Sequence, residues 1–318
     1  VTLTSAFRLV PPRRLEHVSR NRYALITAAA AAAAALSACS GTGAAEPKPW
    51  PSEGKVAAAP TSATVKPATN NWVGLPAQPV PDGERDTTGH RFGPLAPGVS
   101  VWEHEAGVAT DAGCTLGPAV APTMSPTSRG YLLAGHCDKP DRTQVLVFTD
   151  PSHASPQPVG VYTPAPSGGR KLDATSLWLQ PGTAAPASVA GHPVAGVLTT
   201  AALKELVSGS GPAPKACVYG AVTGLSCGDL IDADDKEVTV DIPVRNGDSG
   251  SPMFLYDESA RAVTVIGVLT DNSRGNTSYG VTAETALRSL GAKLVTDPAV
   301  AVDPRADARY SDQVVTGD

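Results

Sequence analysis

Asn246-Gly247-Asp248-Ser249-Gly250-Ser251-Pro252 sets one serine among glycines, beside an aspartate, and closes on a proline. These residues favour turns, and a tight turn of this kind aims successive backbone N–H groups at one point. A serine hydroxyl is a weak nucleophile until a base takes its proton. The reading of Ser249 therefore depends on what the rest of the chain offers. Leu132-Leu133-Ala134-Gly135-His136-Cys137 offers an imidazole, and Leu172-Asp173-Ala174-Thr175-Ser176-Leu177 offers a carboxylate at the head of a strand-like run. Asp141 and Asp150 also lie between the histidine and the serine, but neither opens a plausible strand. His136 can accept and return a proton near neutral pH. Asp173 would hold its tautomer and stabilise the imidazolium. The N–H groups of Gly247 and Ser249 would form an oxyanion hole, in which one donor is worth roughly 3–4 kcal/mol of barrier stabilisation.

Strands surround these motifs. Gln144-Val145-Leu146-Val147-Phe148, Thr175-Ser176-Leu177-Trp178-Leu179, Val238-Thr239-Val240-Asp241-Ile242 and Val263-Thr264-Val265-Ile266-Gly267-Val268-Leu269 are β-type runs between turn residues. Such short, closely spaced strands build sandwiches and barrels. A helix is predicted over 282–294, where Ala283, Ala286, Leu287 and Leu290 share a face and Gly291 loosens the end. Residues 40–98 are rich in Ala, Pro, Thr, Lys and Gly without any period, and read as a disordered tether. Residues 295–318, polar and Pro-containing, read as a disordered tail. A net charge of -5 with no basic cluster excludes nucleic acid as an expected partner.

The five cysteines stand at 39, 114, 137, 217 and 227. Their separations lack the close CxxC spacing of structural zinc sites, so no metal is expected. Cys137 follows the histidine directly. Cys114 lies in Ala112-Gly113-Cys114-Thr115-Leu116-Gly117, and the next two lie in Cys217-Val218-Tyr219-Gly220-Ala221-Val222-Thr223-Gly224-Leu225-Ser226-Cys227-Gly228. With the order His, Asp, Ser, this pattern resembles the streptogrisin and α-lytic protease group of bacterial chymotrypsin-like serine proteases. The matching letters of the last stretch are Cys217, Gly220, Thr223, Gly224, Cys227 and Gly228.

The resemblance spans 99–294. It implies an all-β fold of two six-stranded barrels, at 99–185 and 190–282, with the 282–294 helix against the second. It also implies disulfides Cys114–Cys137 and Cys217–Cys227, one in each barrel. His136, Asp173 and Ser249 would straddle the cleft and hydrolyse protein or peptide substrates. No cofactor is implied, and a monomer is expected. Departures from the group are plain. Ser251 replaces the usual Gly, and no Cys precedes Asn246. Thr270, Asp271 and Asn272 stand where substrate-pairing residues are usually small. The sequence identifies no cation for Asp248, which in relatives pairs with a new N-terminus or an internal Arg. The His-before-Ser order and the lack of a Gly-x-Ser-x-Gly elbow exclude an α/β-hydrolase. A protease fold kept as a binding scaffold without turnover is the alternative; it predicts a damaged triad, and all three residues are present.

The N-terminus carries a different signal. Arg20 and Arg22 precede an apolar run from Tyr23 to Leu36, which closes on Leu36-Ser37-Ala38-Cys39. A charged start, an apolar stretch and small residues make an export signal. The last four residues resemble a bacterial lipobox, so 1–39 is read as a lipoprotein signal with Cys39 lipidated. The mature chain would be held on the outer face of the cytoplasmic membrane. That accounts for the odd thiol and leaves four cysteines free to pair. The stretch before Val18 is long for a signal's charged region and points to an upstream start on an alternative codon.

Overall fold

Valine, isoleucine and leucine recurring between threonines and glycines give strands whose faces both find apolar cover. Pro252–Asp257 is buried along its whole length. The computed structural model describes residues 70–104, 113–139, 144–163, 172–272 and 275–317. The predicted signal, Cys39 and residues 40–69 lie outside these. The strands fall into two sheets. The first contains β2 (Ser100–His104), β3 (Gly113–Thr115), β4 (Ala119–Pro122), β5 (Gly130–Leu133), β6 (Gln144–Phe148), β7 (Pro156–Thr163) and β8 (Thr175–Leu179). It also takes β17 (Ala292–Thr296) and β18 (Val314–Thr316) from the end of the chain. The second contains β1 (Trp72–Val73), β9 (Ser188–Val189), β10 (His192–Val197), β11 (Lys215–Gly220), β12 (Gly224–Ala233), β13 (Glu237–Asp241), β14 (Pro252–Asp257), β15 (Ala262–Asn272) and β16 (Thr277–Thr282).

In the second sheet the order β14-β11-β12-β13-β16-β15 returns to β14, closing a six-stranded barrel. Val218, Leu230, Val238, Val240, Ile242, Met253, Leu255, Ile266 and Leu269 belong to its buried core. Each such side chain contributes about 1.5–3 kcal/mol by leaving water. The first sheet runs β18-β17-β4-β5-β8-β7-β6-β2-β3, and among the described residues its ladder does not close. Leu116, Tyr131, Leu133, Val145, Val147 and Leu177 belong to its core. A third cluster joins the halves, bringing Val120, Leu132 and Ala174 of the first together with Phe254, Val265 and Val268 of the second. The all-β class expected from the sequence stands, with one six-stranded barrel closed and the other sheet, among the described residues, an open ladder.

Three boundaries need correction. Residues 70–98 are not tether. Trp72 and Val73 pair with Asp257 and Tyr256, Gln78 and Leu225 exchange backbone hydrogen bonds at 2.9 and 2.8 Å, and Val80 is buried. Asp86 organises the next loop by accepting from the Thr88 amide and hydroxyl (2.8 and 2.7 Å), the His90 amide (2.9 Å) and His153 Nε2 (2.6 Å). Burial alone would raise the Asp86 carboxyl, but these bonds outweigh it and hold the group below its ordinary value. Residues 295–318 are not a disordered tail either. β17 pairs antiparallel with β4 and β18 pairs parallel with β17. Tyr310 is buried against Gly196, with its hydroxyl 3.3 Å from Thr264 Oγ1. Finally, the predicted 282–294 helix is the shorter α2 (Ala283–Leu290), because Gly291 ends it and the chain turns into β17.

One helix, α1 (Thr200–Ser208), was not anticipated, although its Thr199 cap, accepting from the Ala202 amide at 3.1 Å, is a readable signal. Tyr310→Ala should destabilise the protein by about 3–5 kcal/mol. Urea unfolding checks this; an unchanged midpoint would mean the C-terminal segment is not packed.

Candidate active site

β5 and β8 are antiparallel neighbours, with Leu133 opposite Thr175. The residues just beyond those partners therefore emerge side by side. A 3-10 turn over Gly135–Cys137 follows β5 and presents His136; Asp173 precedes β8. Asp173 Oδ2 lies 2.8 Å from His136 Nδ1, and Asp173 Oδ1 accepts from the His136 amide at 2.7 Å. A carboxylate can only accept, so Nδ1 carries the proton and Nε2 of the neutral ring has the free lone pair. Burial works to raise the Asp173 carboxyl. The bonds and charge of His136, with the Gly135 amide, outweigh that and lower it below its ordinary value. The stability this pair contributes is complete above the ordinary carboxyl value of about 4 and is lost as pH falls through the lowered one. The pair is two-fifths exposed, so solvent screens much of it.

Ser249 arrives from the other sheet, in the loop ahead of β14. Two links bring it to His136. Cys137, next to the histidine, is bridged to Cys114 on β3. Thr115, next to Cys114, donates its amide to the Ser249 carbonyl at 2.7 Å. His136, Ser249, Gly247, Asn246 and the Cys114–Cys137 bridge line one cavity of about 300 Å³, together with Val101, Glu103, Gly113, Lys139 and Tyr162. No hydrogen bond joins the Ser249 hydroxyl to the His136 ring in this structure; such bonds are often long before a substrate arrives. Among the described residues, neither the Gly247 nor the Ser249 amide has an acceptor. Gly247 adopts φ +99°, and a Cβ there would stand 2.5 Å from His90 Nε2, so no larger residue fits.

Asp248 points away from the cavity and is wholly buried. Its Oδ1 accepts from the Val222 and Thr223 amides at 2.8 and 3.0 Å. Its Oδ2 accepts from the Arg245 amide at 2.8 Å and from the Thr223 hydroxyl. The cation sought in the sequence is not what meets it. Thr270, Asp271 and Asn272 end β15 and do not line the cavity; Asp271 and Asn272 pair with Tyr279 and Ser278 instead. The second disulfide, Cys217–Cys227, ties β11 to β12 directly across their ladder. Sequence reading did not reach Thr115, Glu103, Lys139 and Tyr162, since nothing local marks them. Cys114, His136 and Cys137 are the one potential metal-ligand group among the described residues, but both sulfurs are spent in the disulfide.

No protein-family model matches the chain, and no curated protein matches it. Among solved structures it is similar to Thermobifida fusca Protease A, at 18% identity and a TM-score of 0.43, over 64% of this chain and 98% of that one. It is similar to Nocardiopsis protease at 17% and 0.43, over 63% and 98%. It is also similar to Cellulomonas bogoriensis chymotrypsin at 17% and 0.42, over 64% and 98%. Likeness at this level leaves the functional case to the side chains themselves.

Gly220 underlies the Asp248 site, because a Cβ there would fall 2.1 Å from Asp248 Oδ1. Gly220→Ala should cost about 1–3 kcal/mol, with the loss read as a lower urea midpoint. Unchanged stability would mean that the carboxylate has room to move.

Proposed function

We propose that this protein is an exported serine endopeptidase. The observation that carries the reading is the doubly bonded Asp173–His136 pair, whose histidine lines one cavity with Ser249 and Gly247, two residues whose amides have no acceptor among the described residues. His136 Nε2 takes the proton of Ser249 Oγ as that oxygen bonds to the substrate carbonyl carbon. The imidazolium is stabilised by Asp173. The developing oxyanion is held by the Gly247 and Ser249 amides. His136 then gives its proton to the leaving amine as the C–N bond breaks. A water, deprotonated by the same ring, releases the acid from Ser249. Thr270, Asp271 and Asn272, although outside the cavity itself, are the proposed backbone partners of an extended substrate, since β15 has there run past its last pairing with β14 at Val268.

A fluorophosphonate probe tests the reading. It should label Ser249, and Ser249→Ala should lose both the label and peptide hydrolysis while unfolding at the wild-type midpoint. A Ser249→Ala protein that cleaves peptide at the wild-type rate sinks the proposal, and a folded wild type that takes no label points to a binding scaffold.

Export is supported by the signal-like N-terminus and by two disulfides, which persist in oxidising compartments. Lipidation of Cys39 would hold the protein, as a monomer, on the outer face of the membrane, anchored stably if two or more acyl chains are added. Cys39→Ala should then move it from the detergent phase to the aqueous phase on partitioning; wild type recovered in the aqueous phase would leave an ordinary secretion signal.

A further inference from the structure

An ionised carboxylate removed from water must be met by charge or by several hydrogen bonds. Asp248 is removed from water completely and, among the described residues, is met by four donors, none of them a side-chain cation: the amides of Val222, Thr223 and Arg245 and the hydroxyl of Thr223. The space is also full. Gly220 packs so closely on Oδ1 that even a methyl would overlap it, and so no ammonium group could enter from that side.

Two further hydroxyls act on the same loop. Thr115 Oγ1, itself held by the Ala221 amide at 3.1 Å, donates to the Gly247 carbonyl at 2.8 Å. Ser251 Oγ and the Ser251 amide both bond the Asp248 carbonyl, at 2.5 and 3.0 Å. The carbonyl and N–H of a trans peptide point in opposite directions. Fixing the Asp248 carbonyl therefore fixes where the Ser249 N–H points. Fixing the Gly247 carbonyl sets the plane of the next peptide back, whose Asp248 N–H closes the turn onto Arg245 O at 3.0 Å. Thr115 and Ser251 are both wholly or almost wholly buried.

We infer that Thr115, Thr223 and Ser251 are positioning residues that hold the oxyanion-binding amides around a buried Asp248 with neutral donors alone, so that the loop is competent without an internal cation or a newly cleaved N-terminus. The inference rests on the protease reading and adds to it the means by which the loop is kept in shape.

The experiment compares Thr223→Val, which removes the hydroxyl and keeps the shape, with Thr223→Ser, which restores it. Active sites are counted with the fluorophosphonate probe, so that rates are per folded site. Thr223→Val should lower kcat by about tenfold to a hundredfold with KM little changed, and Thr223→Ser should recover most of it. Thr115→Val should behave in the same way. A merely structural role would reduce the number of labelled sites and leave kcat per site intact. That result, or a Thr223→Ser protein as impaired as Thr223→Val, overturns the inference while the protease reading stands. A wild type that takes no label overturns both.

Discussion

The bond from the Thr115 amide to the Ser249 carbonyl joins the two sheets beside the cavity that His136 and Ser249 share. His136 and Asp173 belong to the first sheet and Ser249 to the second, so their relation depends on whatever fixes one sheet on the other. Apolar packing of Leu132 and Val120 against Phe254 and Val265 supplies most of the adhesion. Packing, however, is non-directional and tolerates small shifts. The Thr115 bond is directional, and it sits one residue from a disulfide that leads to His136. From the imidazole to the serine the path is short: one peptide, one sulfur bridge, one peptide and one hydrogen bond. Losing such a bond would leave a carbonyl unmet, at about 1–3 kcal/mol if it is out of reach of water, and would free the Ser249 loop to move relative to His136.

The same loop carries a burden that apolar packing cannot meet. It leaves the Gly247 and Ser249 amides without an acceptor among the described residues while burying the Asp248 carboxylate between them. The solution is a division of the backbone. The Gly247 and Asp248 carbonyls and the acid are met by Thr115, Ser251 and Thr223, and Gly247 and Ser249 line the cavity. Ser251 is part of this arrangement through its hydroxyl and amide, both on the Asp248 carbonyl.

What was legible in the sequence is what is local. The glycine-bounded serine, the histidine beside its cysteine and the aspartate opening a strand all lie on the same cavity or next to it, and both cysteine pairs are bridged as the resemblance implied. What was not legible depends on partners far along the chain. Trp72, Val73 and Val80 look isolated among prolines and glycines because each buries against strands more than a hundred residues away. Tyr310 looks like a tail residue for the same reason, since it packs on Gly196 and bridges Leu198. Thr223 was visible as a motif letter, but its service to Asp248 was not, since a hydroxyl and a buried acid have no spacing rule.

The way β1 and β17–β18 are laced in has a consequence for biosynthesis. The earliest described strand, β1, completes the sheet made by the later half of the chain, and the latest strands, β17 and β18, complete the sheet made by the earlier half. Neither half can finish alone as it leaves the ribosome. The first sheet keeps an open edge at β4 until residues beyond 290 are made, and contacts of such long range close slowly. A first sheet that stays open until β17 and β18 are made leaves the earlier half unfinished, and so accessible to other partners, for most of synthesis.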